Sequence, residues 1–243
     1  MTCLASAQLH PHFGIVAGVP LTDTLTSSES ASVFSTSSSF DRFNSKTKRL
    51  LIGPAFRLDL PGGLGLEFDA IYQRVNSDST AQSSSPPSFA SYSFQQTTAN
   101  RWQFPFLVQY AHALPRSKTR MFVEFGPSIS HIDGGQSTVH QITTEPSTTS
   151  SVSSFTGQGE TQAGVTAGAG IDITMFHLHL RPRFRYSHWF SGNATSQTAI
   201  LGGVLLSNPW ANYPGGAVVY PGTSASGFLT KSNEASLLLD ILF

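Results

Sequence analysis

A succession of eight segments with period-two hydropathy, joined alternately by long and short connections, constrains this chain more than any single motif. The segments cover residues 12–21, 49–60, 64–75, 100–114, 120–132, 161–175, 178–190 and 234–243. In each, apolar residues recur at alternate positions, as in Ile15, Ala17, Val19 and Leu21, or Trp102, Phe104, Phe106, Val108 and Tyr110. That is the side-chain period of a strand with one apolar face. Residues 22–46, 77–98, 133–160 and 191–231 form long connections, whereas Pro61-Gly62-Gly63, residues 115–119 and Phe176-His177 are tight turns. Antiparallel pairing of neighbours puts every long connection at one end and every turn, with both termini, at the other.

Alternation does not by itself separate a soluble core from a lipid surface, but charge chemistry does. Charged residues make up only 12% of the chain, against roughly 25% in soluble domains. The four lysines, Lys46, Lys48, Lys118 and Lys231, lie in connections or near strand ends. The polar faces carry Arg57, Arg101, Arg120, Arg181, Arg183 and Arg185 against Asp59, Glu67, Asp69, Glu124, Asp172 and Asp240, which balance one for one. Arg pairs bidentately with carboxylates in confined spaces, and Gly53, Gly65, Gly126, Gly168 and Gly170 leave room for long side chains. The polar face is thus expected to line a barrel interior filled by an ion-pair network, since eight strands enclose little more than side chains. Inverting the phase would give a soluble, lipocalin-like barrel instead. Pro54, Pro105, Pro127 and Pro182 each remove a ladder donor, so bulges are expected there.

Residues 234–243, Glu-Ala-Ser-Leu-Leu-Leu-Asp-Ile-Leu-Phe, keep one face apolar to the last residue through Leu237, Leu239, Ile241 and Phe243. This ending resembles the C-terminal signature strand of bacterial outer-membrane β-barrels, and the pattern of connections resembles the OmpA-type eight-stranded barrel over nearly the whole chain. The resemblance implies an all-β, eight-stranded antiparallel up-and-down transmembrane barrel with four long external loops and three short periplasmic turns. It implies a bacterial outer-membrane location, contact with outer-membrane lipid, and reading of Leu239, Ile241 and Phe243 by the barrel assembly machinery. Tyr72, Trp102 and Trp189 near the long connections, with Tyr110 and Phe243 near the turns, are expected to form two interfacial girdles.

Several functions are set aside on composition. Net charge is zero and no basic run exceeds two residues, so no footprint for nucleic acid exists. Residues 1–8 contain Ala5-Ser6-Ala7 before Gln8 and read as the tail of an export signal, with the barrel over 9–243. Cys3 is the sole cysteine, which precludes an internal disulfide. His10-x-His12 and His177-x-His179 each place two imidazoles on one face, but on strands that are not neighbours and without a third ligand, so no metal or cofactor is expected. His188 with Ser191 or Glu234 has hydrolytic ingredients. Outer-membrane lipid A deacylases place their Ser two residues after the His, where this chain has Phe190.

The first three long connections are Ser/Thr-rich, and are either mobile or prolong the strands as a polar crown. The last is apolar over residues 199–206 and 210–220, which suggests either a contact for an unidentified surface ligand or a segment folded back over the barrel mouth. The expected protein is a monomeric, non-enzymatic outer-membrane barrel with a plugged interior and a structural or surface-contact role in adhesion or docking. A narrow, porin-like passive channel and, behind it, a lipid-modifying hydrolase are the alternatives.

Overall fold

The computed structural model describes residues 9–34, 37–85, 89–115, 119–144, 148–157, 159–176, 178–190, 198–200, 223–225 and 230–243. The strands in chain order are β1 (His10–Pro20), β2 (Ser28–Phe34), β3 (Ser37–Ser45), β4 (Leu51–Asp59), β5 (Leu64–Asp69), β6 (Ile71–Ser85), β7 (Phe89–Ala113) and β8 (Thr119–Ile132). They continue as β9 (Gln136–Thr144), β10 (Thr148–Thr156), β11 (Glu160–Met175), β12 (Leu178–Trp189), β13 (Thr198–Ile200), β14 (Thr223–Ala225) and β15 (Asn233–Leu242). No α-helix occurs among the described residues.

Eight walls close into an antiparallel barrel in the order β1, β4, β5 with β6, β7, β8, β11, β12 and β15, with β15 returning to β1. At the closing seam Ala17 stands opposite Leu239. The terminal residue completes it: Phe243 N donates to Phe13 O at 2.8 Å, and Phe13 N to Phe243 O at 3.4 Å. A closed barrel leaves no backbone edge facing hydrocarbon.

The tight connections have the chemistry that their geometry requires. Gly62 and Gly63 hold φ near 80° and 81°, the left-handed region that glycine enters without a Cβ penalty. At Gly63 a Cβ would also come within 2.4 Å of Ala111 O. Leu114 N donates to Thr119 O at 3.1 Å across the second turn, and Phe176, at φ 58°, makes the third.

The expected bulges at the four prolines do not occur. Register runs unbroken past Pro54 opposite Ile15, Pro105 opposite Ser128, Pro127 opposite Val165 and Pro182 opposite Leu239. The physical reason is local: an antiparallel residue donates to one neighbour only, so proline costs one rung on one side. The β7–β8 ladder skips Phe106 and Leu107 across from Pro127, and the β11–β12 ladder skips Ile171 and Asp172 across from Pro182. Each then resumes without an inserted residue.

Three long connections prolong the walls instead of leaving them. β6 and β7 stay paired to Ser85 and Phe89, β2 and β3 add on the β6 side, and β9 and β10 add on the β7 side. The result is a six-stranded crown in the order β10, β9, β7, β6, β3, β2, with β2 and β10 at its edges. In the last connection, β13 and β14 pair only with each other.

Candidate functional site

On β12 the positions alternate between buried Arg181, Arg183, Arg185 and outward Pro182, Phe184, Tyr186. The three guanidinium groups therefore enter the lumen one above another. Arg183 is the centre: it is ion-paired to Glu67, to Asp69 at 2.8 Å, to Glu124 at 3.0 Å and to Asp240 at 2.9 Å. Arg185 donates to Glu124 at 3.1 Å and Asp69 at 2.9 Å. Arg181 donates to Glu67 at 2.7 Å and Gln109 at 2.8 Å, and lies 4.2 Å from the centroid of Phe122. These acids stand on β5, β8 and β15, so the network spans the lumen from wall to wall. A buried ion left alone costs several kcal/mol, roughly, and this geometry gives each charge several partners.

Glycine makes space for it. A Cβ on Gly168 would sit 2.5 Å from Glu124 Oε1. Beside the charges, Val16, Leu51, Ala55, Ile71, Leu238 and Leu242 from β1, β4, β6 and β15 form a buried apolar cluster.

Toward the turn end, Arg57 bridges Asp172 at 2.8 Å and Asp59 at 2.5 Å, and His179 Nδ1 lies 2.9 Å from Asp172. The ring of His12 meets that of His179 at 4.9 Å. Their strands are separated only by β15, and both face inward, so curvature brings together two residues that strand order holds apart. His177 lies outside the described residues. No group of three or more metal-ligating side chains occurs among the described residues. Arg120 is peripheral to the network: it is 46% exposed and, among the described residues, its one ion pair is with Asp59, at 3.9 Å. Its place at the start of β8 leaves it at the rim.

Toward the loop end, Arg101 donates to Glu234 at 2.6 Å and Ser130 at 2.7 Å, and lies 5.2 Å from the Trp189 ring centroid. Trp189 is 2% exposed, which corrects its assignment to a girdle: it shares the inward parity of Arg181 and stacks under a lumen cation. The mouth is crossed by the chain after β1. Thr24 and Leu25 are buried, Leu25 bridges Thr230, and Thr24 and Gln162 bond to Gln73 and Thr230. Glu234, His179, Gln73, Gln109 and Gln162 were absent from the expected set. Parity carried the signal for Glu234 and His179, which are in phase with Asp240 and Arg181.

On the outer face, Tyr72 packs on Trp102 at 5.2 Å and donates to Asn100 Oδ1 at 2.7 Å. Tyr110 and Phe243 are exposed toward the turn end. Between them Phe106, Val108, Val123, Phe125, Ile171, Leu237 and Leu239 form an exposed apolar belt. His188 faces outward and bonds to Asn233 at 2.7 Å, whereas Glu234 points inward to Arg101, so the two form no dyad. Ser191 lies outside the described residues.

On the crown, a groove of about 530 Å³ is lined by Val33, Phe40, Tyr92 and Ile142 among Ser, Thr and Gln. Residues 199–206 and 210–220 lie almost wholly outside the described residues. A family model described as outer membrane protein beta-barrel domain matches residues 6–192, more than half of the chain. No curated protein matches it.

Proposed function

The chain belongs to the outer-membrane β-barrel domain family, and from that premise we propose a non-enzymatic, monomeric protein with a closed lumen that acts at the cell surface through its crown. The bacterial outer membrane is its location, and membrane lipid meets the apolar belt. The observation that carries the reading is the pairing of a lumen spanned by Arg183 and its four acids with strands prolonged into an external sheet. A pore has no need of the second, and a plugged barrel has no use for the bulk solvent path. Burial of Thr24 and Leu25 at the mouth supports closure, and the groove beside Tyr92 supports contact with a surface partner. On this reading Leu239, Ile241 and Phe243 serve insertion, through the assembly machinery, rather than the mature protein's work.

The narrow-channel alternative draws on buried polar atoms without hydrogen-bond partners along the lumen, among them Asp69 Oδ1, Gln109 Nε2 and Arg183 Nε. Planar-bilayer recording separates the two. Purified protein is expected to give no stable conductance steps, and deletion of residues 136–156 is expected to reduce binding to cells or matrix while preserving the barrel. Steady ohmic steps from the intact protein, with binding unchanged by the deletion, would favour the channel.

A further inference from the structure

The β3–β6 ladder continues past the end of β3. Lys46 N donates to Asn76 O at 2.8 Å and Lys48 N to Arg74 O at 3.2 Å, in the same register that sets Ser45 opposite Ser77. Lys48 and Arg74 are therefore direct cross-strand neighbours on the outward phase, that of Tyr72. Like charges so placed repel. Both are exposed, and neither they nor Arg49 has an ion pair among the described residues. Lys46, the next outward position, is paired with Asp78. Two exposed cations set side by side, with no ion pair among the described residues, offer a site to an anion from outside the chain.

Position identifies the source of that anion. Tyr72, one outward position before Arg74, packs on Trp102 at the loop-end border of the apolar belt. Two residues of strand advance about 7 Å, which places the cations at headgroup depth, opening sideways to the leaflet. The basic charge is also concentrated. Arg57, Arg101, Arg181, Arg183 and Arg185 are buried in the lumen, and Lys231 N bonds to Thr24 O at the mouth. Beyond the girdle, Lys46 and Lys48 follow directly on β3 and pair with Asn76 and Arg74 of β6.

We infer that Lys48 and Arg74 clamp a phosphate group of an outer-leaflet lipid. The planar guanidinium takes two phosphate oxygens and the ammonium acts as a point charge, while the long stems lie along the belt below. The bound phosphate cancels the cross-strand repulsion and orients this sector toward the leaflet. The inference needs only the membrane location, and stands or falls independently of the surface-contact reading.

Native mass spectrometry of the full chain in detergent tests it, with three probes: an acylated glucosamine-disaccharide bisphosphate, the same glycolipid after dephosphorylation, and inorganic phosphate. The wild-type protein is expected to retain the bisphosphate. The double variant Lys48→Gln with Arg74→Gln is expected to bind it about tenfold more weakly, Arg42→Gln is expected to match wild type, and the dephosphorylated glycolipid is expected to bind wild type no better than the bisphosphate binds the double variant. Unboiled gel migration checks folding, and the two single variants keep the test decisive if the double variant fails to fold. Equal retention by the Gln variants overturns the clamp, as does equal binding of the dephosphorylated glycolipid, which would assign retention to acyl chains. Complete displacement by millimolar inorganic phosphate overturns the lipid source and leaves a free-anion site.

Discussion

Arg183 gathers more of the lumen's negative charge than any other described side chain, with acids from β5, β8 and β15 around one guanidinium. Arg183→Met would leave Asp240 dependent on Arg181, 3.6 Å away, and remove one partner each from Glu67, Asp69 and Glu124; breaking buried pairs in this way typically costs about 3–5 kcal/mol. The variant is expected to unfold at lower urea in the folded-to-unfolded gel shift, and a midpoint equal to wild type would contradict the network's structural role. That Arg181, Arg183 and Arg185 share a face was legible in the sequence, because parity along a strand needs no tertiary information. The pairing of Arg183 with Glu67, more than a hundred residues away, was not: it depends on how far each wall is staggered against the next. Trp189 shows how composition misleads where parity does not. A tryptophan beside a long connection has the profile of a girdle residue, yet its phase turns it into the lumen beneath Arg101.

At the level of the element, β15 does two things at once. Its inward residues Leu238 and Leu242 join the buried apolar cluster while Asp240 serves Arg183, and its outward residues Leu237 and Leu239 belong to the belt. Leu239→Arg is therefore expected to destabilise the barrel in a bilayer by about 2–4 kcal/mol, falling toward zero for arginine placed nearer the interface. Chemical denaturation in lipid vesicles measures it, and a neutral outcome would indicate that this phase does not face hydrocarbon. The prolines carry the complementary lesson. Pro54, Pro105, Pro127 and Pro182 are costly in an isolated strand, but in a closed barrel each forfeits a single rung while the flanking rungs hold register.

In the whole molecule, the barrel and the crown share strands but not their surroundings. The lower parts of β6 and β7 are flanked on both sides within a closed wall, whereas the crown ends in the open edges β2 and β10. Amide exchange is expected to be slowest in the barrel portions of β7, β8 and β11, and faster in β2 and β10; uniform protection across both would mean that the crown edges are covered. The eight segments, their in-out phase, the two kinds of connection and the C-terminal aromatic strand were all determined by the sequence alone, because period, turn chemistry and charge placement are local properties. Only the tertiary structure decided which acid meets which arginine, that His12 and His179 touch, that Thr24 and Leu25 cross the mouth, and that Ser/Thr-rich connections continue as strands. Those facts depend on barrel closure and stagger, which bring distant residues to the same height, and a single strand's pattern carries no record of its neighbour's register.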